Sequence, residues 1–155
     1  LSGFYGILKP LDLIKPYRLE MGTDFKKTTF EENLNLKNLY QFWGNKISKY
    51  LDEESKENNG KYIINLASGE YFSAVDQKDI SAQIINVNFK EKVTKDGKET
   101  YKIVGIHAKK ARGMMVNFII KNKISDPEEI KKFTIAGYLL LRICLMRKTL
   151  FSLDK

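Results

Sequence analysis

The order of apolar and polar positions along the chain predicts alternating helices and strands. Apolar residues over 39–51 follow the 3-4-3-4 spacing of one buried helical face, and Asn38 precedes them as a candidate cap. The β-branched run 62–66 predicts a short buried strand. Ser68 follows this run and predicts the cap of a short helix that reaches Val75.

The second half of the chain continues this alternation. Residues 82–93 and 99–106 predict two strands, and the Asp-Gly pair within 95–98 predicts a hairpin between them. A helix is predicted over 108–121. Residues 126–129 combine a capping Asp, a Pro and two acids, which is typical of a helix start. Interleaved helices and strands with one antiparallel hairpin indicate an α+β or mixed α/β fold.

The first segment, residues 1–22, is divided by two glycines and two prolines. Short apolar stretches lie between them, which favours short helices joined by tight turns. The dividing residues are Gly3, Gly6, Pro10 and Pro16. Residues 22–35 are polar and aperiodic and predict a loop, and residues 57–60 predict a turn.

Composition limits the possible function classes. A chain of 155 residues that is 43% hydrophobic can build a real core. No apolar run reaches the roughly 20 residues that a membrane span needs. The single cysteine, Cys144, cannot form an internal disulfide, so we expect a reducing cytoplasm. Without a cluster of His and Cys, we expect no metal site; the alternative is iron ligation through carboxylates, which no spacing supports. No cofactor is expected.

Charge gives a stronger indication of the partner. The net charge of +8 favours anionic partners, chiefly nucleic acid or a membrane surface. From Lys102 to Lys123 the sequence contains no acidic residue. On the predicted helix 108–121 an arc opposite the apolar face contains Lys109, Lys110, Gly113, Asn117 and Lys121, with Arg112 at its edge. We expect this arc to contact phosphates; the alternative is a solvated face whose glycine permits close helix packing.

Four separated blocks indicate a family. They are LSGFYGILKPLDLIKPYRLEMG at 1–22, LYQFWG at 39–44, INLASGEYF at 64–72 and HAKKARGMMVNFII at 107–120. In order and spacing they resemble the C-terminal two-thirds of the YaaA family of peroxide-stress proteins. The resemblance implies a cytoplasmic bacterial protein, an unusual α/β fold with a helix-hairpin-helix element, DNA binding, and a role in limiting oxidative DNA damage.

The resemblance also sets expectations about the extent of the chain. Residues 1–138 are expected to be the C-terminal two-thirds of a single YaaA-like domain, without its N-terminal part. Residues 139–155 are apolar and basic without a clean period, whereas the family ends in an acidic, serine-containing segment. We therefore expect this tail to be read out of frame; the alternative is a genuine, divergent apolar tail.

The expected DNA interface combines the helical arc with the first block. A helix-hairpin-helix binds phosphate through glycine-bearing turns, and Gly3 and Gly6 permit such an approach. These glycines are three residues apart, whereas the common hairpin glycines are two apart, so the hairpin turn is not assigned. The alternative is a purely structural turn with packed aromatic residues. The predicted DNA-binding residues are Lys9, Tyr17, Arg18, Lys109, Lys110, Arg112, Gly113 and Asn117. They would line a basic cleft with little sequence selectivity for DNA, either double-stranded or locally opened. No membrane partner is expected, and the oligomeric state is not predicted.

The alternative function is an enzyme that acts on a nucleobase or nucleotide in the same cleft. Its candidate residues are Asp12, Glu20, Asn65, Ser68, Glu70 and His107. Each also has a structural interpretation. Ser68 and His107 suit helix caps, and the acids near Arg18 suit ion pairing. The aromatic residues over 40–43 suit core packing better than base stacking.

Overall fold

The computed structural model describes residues 1–27, 36–95, 97–144 and 149–154. Its helices are α1 Leu39–Trp43, α2 Lys46–Glu57, α3 Gly69–Phe72 and α4 Gly105–Lys121. Its strands are β1 Tyr62–Asn65, β2 Gln83–Lys95, β3 Lys98–Lys102, β4 Tyr138–Cys144 and β5 Thr149–Asp154. Short 3₁₀ segments lie at Phe25–Lys27, Gln77–Asp79, Pro127–Lys132 and Ile135–Gly137. The predicted α+β class is confirmed.

The chain forms two compact units. The first contains Leu1–Lys61 and Ala67–Ala82, and the second contains Tyr62–Leu66 and Gln83–Lys155. The tail beyond residue 138 contributes β4 and β5 to the second unit. Whether that tail is read out of frame stays a prediction.

The second unit is built on a mixed sheet in the order β1-β2-β5-β4, with β3 paired to β2. The β1–β2 and β2–β5 pairs are parallel, whereas β2–β3 and β4–β5 are antiparallel. Alternate residues of a strand point to the same side of its sheet, and α4 packs against one such set from β2. The resulting core contains Ile85, Val87, Phe89, Ala108, Ala111, Met115, Ile130, Phe133 and Tyr138.

The first unit holds its irregular segments through polar contacts to α1 and α2. The indole Nε1 of Trp43 donates a hydrogen bond to the carbonyl oxygen of Gly3 over 3.0 Å. Ser48 is buried, and its Oγ accepts from the backbone N–H of Asp76 over 2.8 Å. Asp52 accepts from both the N–H and the hydroxyl of Ser81, at 2.8 and 2.6 Å.

Several predicted boundaries are confirmed. Side chains of Asn38, Ser68 and Asp126 accept hydrogen bonds from the first turns of α1, α3 and the Pro127–Lys132 segment. The antiparallel β2–β3 pair confirms the predicted hairpin, although Asp96 itself lies outside the described residues. The turn after α2 is present at Asn58 and Asn59.

The expected helices in residues 1–22 are wrong. This segment contains turns and irregular backbone, closed by paired hydrogen bonds between Ser2 and Gly6 of 2.7 and 2.9 Å. The prolines fix local φ values and remove N–H donors, so turn chemistry overrides the apolar pattern. The helix-hairpin-helix element is therefore not confirmed. Of the predicted loop 22–35, residues 28–35 lie outside the described residues.

Four other predictions need correction. The predicted helix after Asn38 is interrupted at Gly44, whose φ of 51° suits glycine, and it resumes as α2 as far as Glu57. Strand β1 is half-buried rather than buried. The helix after Ser68 ends at Phe72. The strand predicted to reach residue 106 ends at Lys102, because α4 begins at Gly105.

Candidate nucleic-acid interface

The exposed face of α4 contains the predicted basic arc. Ala108, Ala111 and Met115 are buried on the side that faces the core. The residues of the arc are solvent-exposed, and they are Lys109, Lys110, Gly113, Asn117 and Lys121. The 3.6-residue helical period therefore places these lysines on the side opposite Ala108, Ala111 and Met115, as the sequence predicts.

The lysines of this arc differ from many others in the protein. Lys9, Lys56, Lys92, Lys131 and Lys132 each form an ion pair with a carboxylate. Lys109, Lys110 and Lys121 form none with the described side chains. The acid-free sequence from Lys102 to Lys123 explains this, because the helix supplies no acidic neighbour one turn away. Uncompensated cations on one helix face attract anions.

Arg112 is less exposed to solvent than the lysines of the arc. Its side chain is half-buried, and its Nε donates a hydrogen bond to the carbonyl oxygen of Ala108 over 3.1 Å. The guanidinium thus lies along its own helix, at the border between the core face and the basic arc.

Gly113 lies in open space at the middle of the arc. A Cβ added there would meet no heavy atom within 4 Å. Within the part of the chain that the structure describes, the glycine is therefore not required for close helix packing. The space next to Gly113, between the neighbouring lysines of the arc, is therefore open.

Apolar residues outside the predicted basic arc lie on the same exposed face. Ile106, Val116 and Ile120 are 65%, 43% and 69% exposed. Their spacing places them with the lysines rather than with the core residues. This face of α4 is therefore mixed, basic and apolar. The period of the predicted helix 108–121 places Val116 and Ile120 there, whereas Ile106 precedes the predicted start of that helix.

His107 lies in the first turn of α4 rather than before the helix. Its Nδ1 makes a close contact with the carboxylate of Glu91 on β2. The residue at the cap position is Val104, which makes no side-chain capping hydrogen bond. The predicted cap role of His107 is therefore wrong, and its ring instead contacts a carboxylate on β2.

In the first unit, Lys9 is already paired. Its Nζ lies 2.7 Å from a carboxylate oxygen of Glu54 and 5.8 Å from the ring centre of Tyr50. The hydrogen bond to Glu54 is the largest cause that raises the pKa of Lys9 above its usual range. Lys9 thus has a structural partner, whereas Arg18 is exposed. The expected pairing of Arg18 with an acid is not found among the described side chains.

Gly3 and Gly6 of the first block lie against other parts of the first unit. A Cβ at Gly3 would lie 2.8 Å from the carbonyl oxygen of Leu19. Gly6 has a φ of +74°, and a Cβ there would lie 2.8 Å from the ring of Trp43. Both glycines therefore permit close packing of the chain on itself, and the N–H of Gly6 already donates to the carbonyl oxygen of Ser2 over 2.9 Å.

The acidic candidates of the first unit have structural contacts. The carboxylate of Asp12 accepts from the N–H of Lys9 over 2.7 Å. The carboxylate of Glu70 accepts from the N–H of Gly22 over 2.8 Å. The backbone carbonyl of Glu20 accepts hydrogen bonds from Thr23.

Two tyrosines border Glu70. The hydroxyl of Tyr40 donates to the backbone oxygen of Glu70 over 3.0 Å. Burial is the largest cause that raises the pKa of Tyr40, and the negative charge of Glu70 is the second. The pKa of Tyr71 is also raised, and the same two causes are the largest there. Both phenols therefore stay protonated at neutral pH, and neither is prepared to act as a base.

The candidates at the end of β1 separate into different units. Asn65 belongs to the second unit, where its Nδ2 donates to Oδ1 of Asn86 over 2.7 Å. Ser68 and Glu70 belong to the first unit, and Ser68 caps α3. The candidates in the first unit are Lys9, Asp12, Tyr17, Arg18, Glu20, Ser68 and Glu70. Those in the second unit are Asn65, His107, Lys109, Lys110, Arg112, Gly113 and Asn117.

Metal-binding clusters and membrane-spanning helices are both absent from the described part of the chain. Among its residues, no group of three or more His, Cys, Asp or Glu side chains is arranged to hold a metal ion. None of the helices described has both the length and the apolar character of a membrane span.

Comparison with known proteins places the chain in a family. The family model described as "Peroxide stress protein YaaA" matches residues 1–142. A UPF0246 protein of Pseudoalteromonas translucida is 51% identical over 138 residues, which cover 89% of this chain and 49% of that protein. A UPF0246 protein of Psychrobacter cryohalolentis is 46% identical over 138 residues, with coverages of 89% and 48%. This chain thus spans about half the length of these curated relatives. The chain belongs to the YaaA family of peroxide stress proteins.

Proposed function

We propose that this protein binds DNA through the exposed face of α4 and thereby limits DNA damage during peroxide stress in the bacterial cytoplasm. One observation carries the DNA-binding proposal. Lys109, Lys110 and Lys121 project from a face that is free of acidic residues, and no described carboxylate pairs with them. Phosphate groups are the natural counter-ions for such a face.

The same face indicates what kind of DNA recognition to expect. Lysine is a flexible point charge and contacts phosphate without reading base edges. Asn117 is the one side chain of the arc that combines a donor and an acceptor. We therefore expect affinity that depends little on sequence.

A charge-matched comparison tests the proposal. The triple variant Lys109→Ala, Lys110→Ala, Lys121→Ala removes three cations from α4. The control Lys56→Ala, Lys131→Ala, Lys132→Ala removes three lysines that are ion-paired elsewhere. Both lower the net charge equally. Fluorescence anisotropy with a labelled duplex should show Kd raised by roughly tenfold or more for the α4 variant alone.

Equal losses of affinity in both variants would attribute binding to net charge and would contradict a role for α4. Circular dichroism checks that both variants stay folded.

The peroxide role rests on the family and is tested in cells. A bacterial strain that lacks its own family member would express the wild type, the α4 variant or the control, and survival after peroxide exposure would be counted. We expect the wild type and the control to protect and the α4 variant to fail. Full protection by the α4 variant would separate the peroxide role from DNA binding by this face.

A further inference from the structure

Three aromatic rings of the first unit pack into a fixed group, which we call the aromatic platform: Phe4, Tyr5 and Tyr17. Tyr5 meets Phe4 edge-on at 4.9 Å and 78°, and it meets Tyr17 edge-on at 5.4 Å and 77°. Phe4 and Tyr17 lie 5.5 Å apart and are tilted by 34°. Phe4 is 57% exposed and Tyr17 is 40% exposed. Large apolar ring surfaces therefore face solvent in a defined arrangement.

Hydrogen bonds hold the polar ends of the two tyrosines. The hydroxyl of Tyr17 lies 2.5 Å from the Oγ of Ser2, which is buried. The same Oγ accepts from the N–H of Tyr5 over 2.9 Å. The hydroxyl of Tyr5 accepts from the N–H of Lys15 over 3.0 Å. Because the rings are already ordered, a ligand that stacks on them meets little further entropy cost.

Two leucines on the loop between Tyr5 and Tyr17 are exposed to solvent. Leu11 is 93% exposed and Leu13 is 100% exposed. The turn before Leu13 is closed twice, since the N–H of Lys9 donates to the Asp12 carboxylate over 2.7 Å and the N–H of Asp12 donates to the Lys9 carbonyl over 3.1 Å. These leucines are therefore exposed on a loop that two hydrogen bonds hold in place.

The charges around this loop favour a nucleic acid over a protein partner. Lys15 and Arg18 are exposed and make no ion pair with any described side chain. The Asp12 carboxylate is engaged within its own turn. Fixed aromatic faces interleaved with such cations are typical of surfaces that stack unpaired bases and hold the adjoining phosphates.

We propose that the aromatic platform stacks unpaired bases of locally opened or single-stranded DNA, with Lys15 and Arg18 on the backbone and Leu13 against a base edge. This inference rests on the proposed DNA-binding function and adds a preference for unpaired bases. Apolar side chains that wedge between bases are a known means of holding distorted DNA.

Variants at Phe4 give the direct test, because its side chain makes no hydrogen bond whose loss would disturb the fold. The probe is a single-stranded oligonucleotide that contains 2-aminopurine, whose fluorescence is quenched by stacking. For Phe4→Ala we expect at least about a fivefold loss of affinity for this probe, with weaker quenching and unchanged affinity for duplex DNA. Phe4→Trp should retain both signals. Ile135→Ala, at another exposed apolar residue, is the control and should match the wild type.

Different results would identify different failures. A wild type that binds neither DNA form overturns the proposed function and this inference together. A wild type that binds both forms, with Phe4→Ala unchanged on the probe, overturns this inference alone. Sedimentation that shows Phe4→Ala breaking a self-associated state would assign the platform to a protein contact instead, which also overturns the inference.

Discussion

The glycines of this protein lie in two different environments. Some have protein atoms close to the position of a Cβ, whereas others face open space. Gly3 and Gly6 lie where a Cβ would collide with the Leu19 carbonyl and the Trp43 ring. Gly113 lies in the open on α4. The first two permit close packing of the chain on itself, whereas Gly113 lowers helix propensity without any packing gain among the described residues. An approaching DNA backbone would explain its presence.

This difference gives a prediction for Gly113→Ala. The variant should be up to about 1 kcal/mol more stable in urea denaturation, because alanine favours helix and nothing obstructs its methyl group. It should bind duplex DNA more weakly, since the methyl group narrows the space between the lysines. Gly105→Ala, another open position on α4, is the control for affinity. A destabilised Gly113→Ala variant would show that the position is not open.

Asp52 provides a pH-dependent contribution to stability. Hydrogen bonds from Lys56 first and Ser81 second hold the pKa of Asp52 well below its usual range. A carboxyl whose pKa is lower in the folded state stabilises that state fully above the unfolded pKa, near 4. The contribution is lost as the pH falls through the folded pKa.

Asp52→Asn should therefore unfold more easily than the wild type at pH 7, and the difference in stability should begin to shrink as the pH falls below about 4. Urea denaturation at pH 7, 5 and 3 measures this change. A stability difference that stays constant over the three pH values would mean that the charge of Asp52 contributes nothing to folding.

At the scale of elements, predictions succeeded where the controlling residues are close in sequence. Asn38, Ser68 and Asp126 cap the segments that follow them, and the buried face of α4 follows from its own period. Predictions failed where distant contacts decide. In residues 1–22 the local effect of the prolines is joined by contacts from Trp43, which meets Gly3 and Gly6 from elsewhere in the chain.

The candidate site shows the same limit. The exposure of the α4 lysines could be predicted from the sequence alone, because the period of one helix is a local property. The engagement of Lys9 by Glu54 and of His107 by Glu91 could not, since each pair joins residues from separate elements. The aromatic platform likewise depends on how the turns of residues 1–22 fold.

The cap of α1 gives a prediction at this scale. Oδ1 of Asn38 accepts from the N–H of Gln41 over 2.9 Å. Asn38→Ala should lower the free energy of unfolding by about 1 kcal/mol, whereas Asn38→Asp should restore most of it because both side chains cap well. Thermal melts of the three proteins test this. If Asn38→Asp were as unstable as Asn38→Ala, the cap would not explain the destabilisation.

For the whole molecule, the net charge of +8 favours any polyanion, so affinity for DNA alone would be weak support for a defined interface. A defined interface has a fixed number of phosphate contacts, and each contact releases counter-ions. The salt dependence of binding therefore separates specific contacts on α4 from a diffuse attraction.

The most direct measurement is the slope of log Kd against log salt concentration for duplex DNA. It should be measured for the wild type, the α4 triple variant and the ion-paired lysine control. The α4 variant should have a slope flatter by roughly 0.9 for each lysine that no longer binds a phosphate, or about 2.7 in all, whereas the control should keep the wild-type slope. Parallel lines for the wild type and the α4 variant would contradict the account, because they would show that Lys109, Lys110 and Lys121 bind no phosphate.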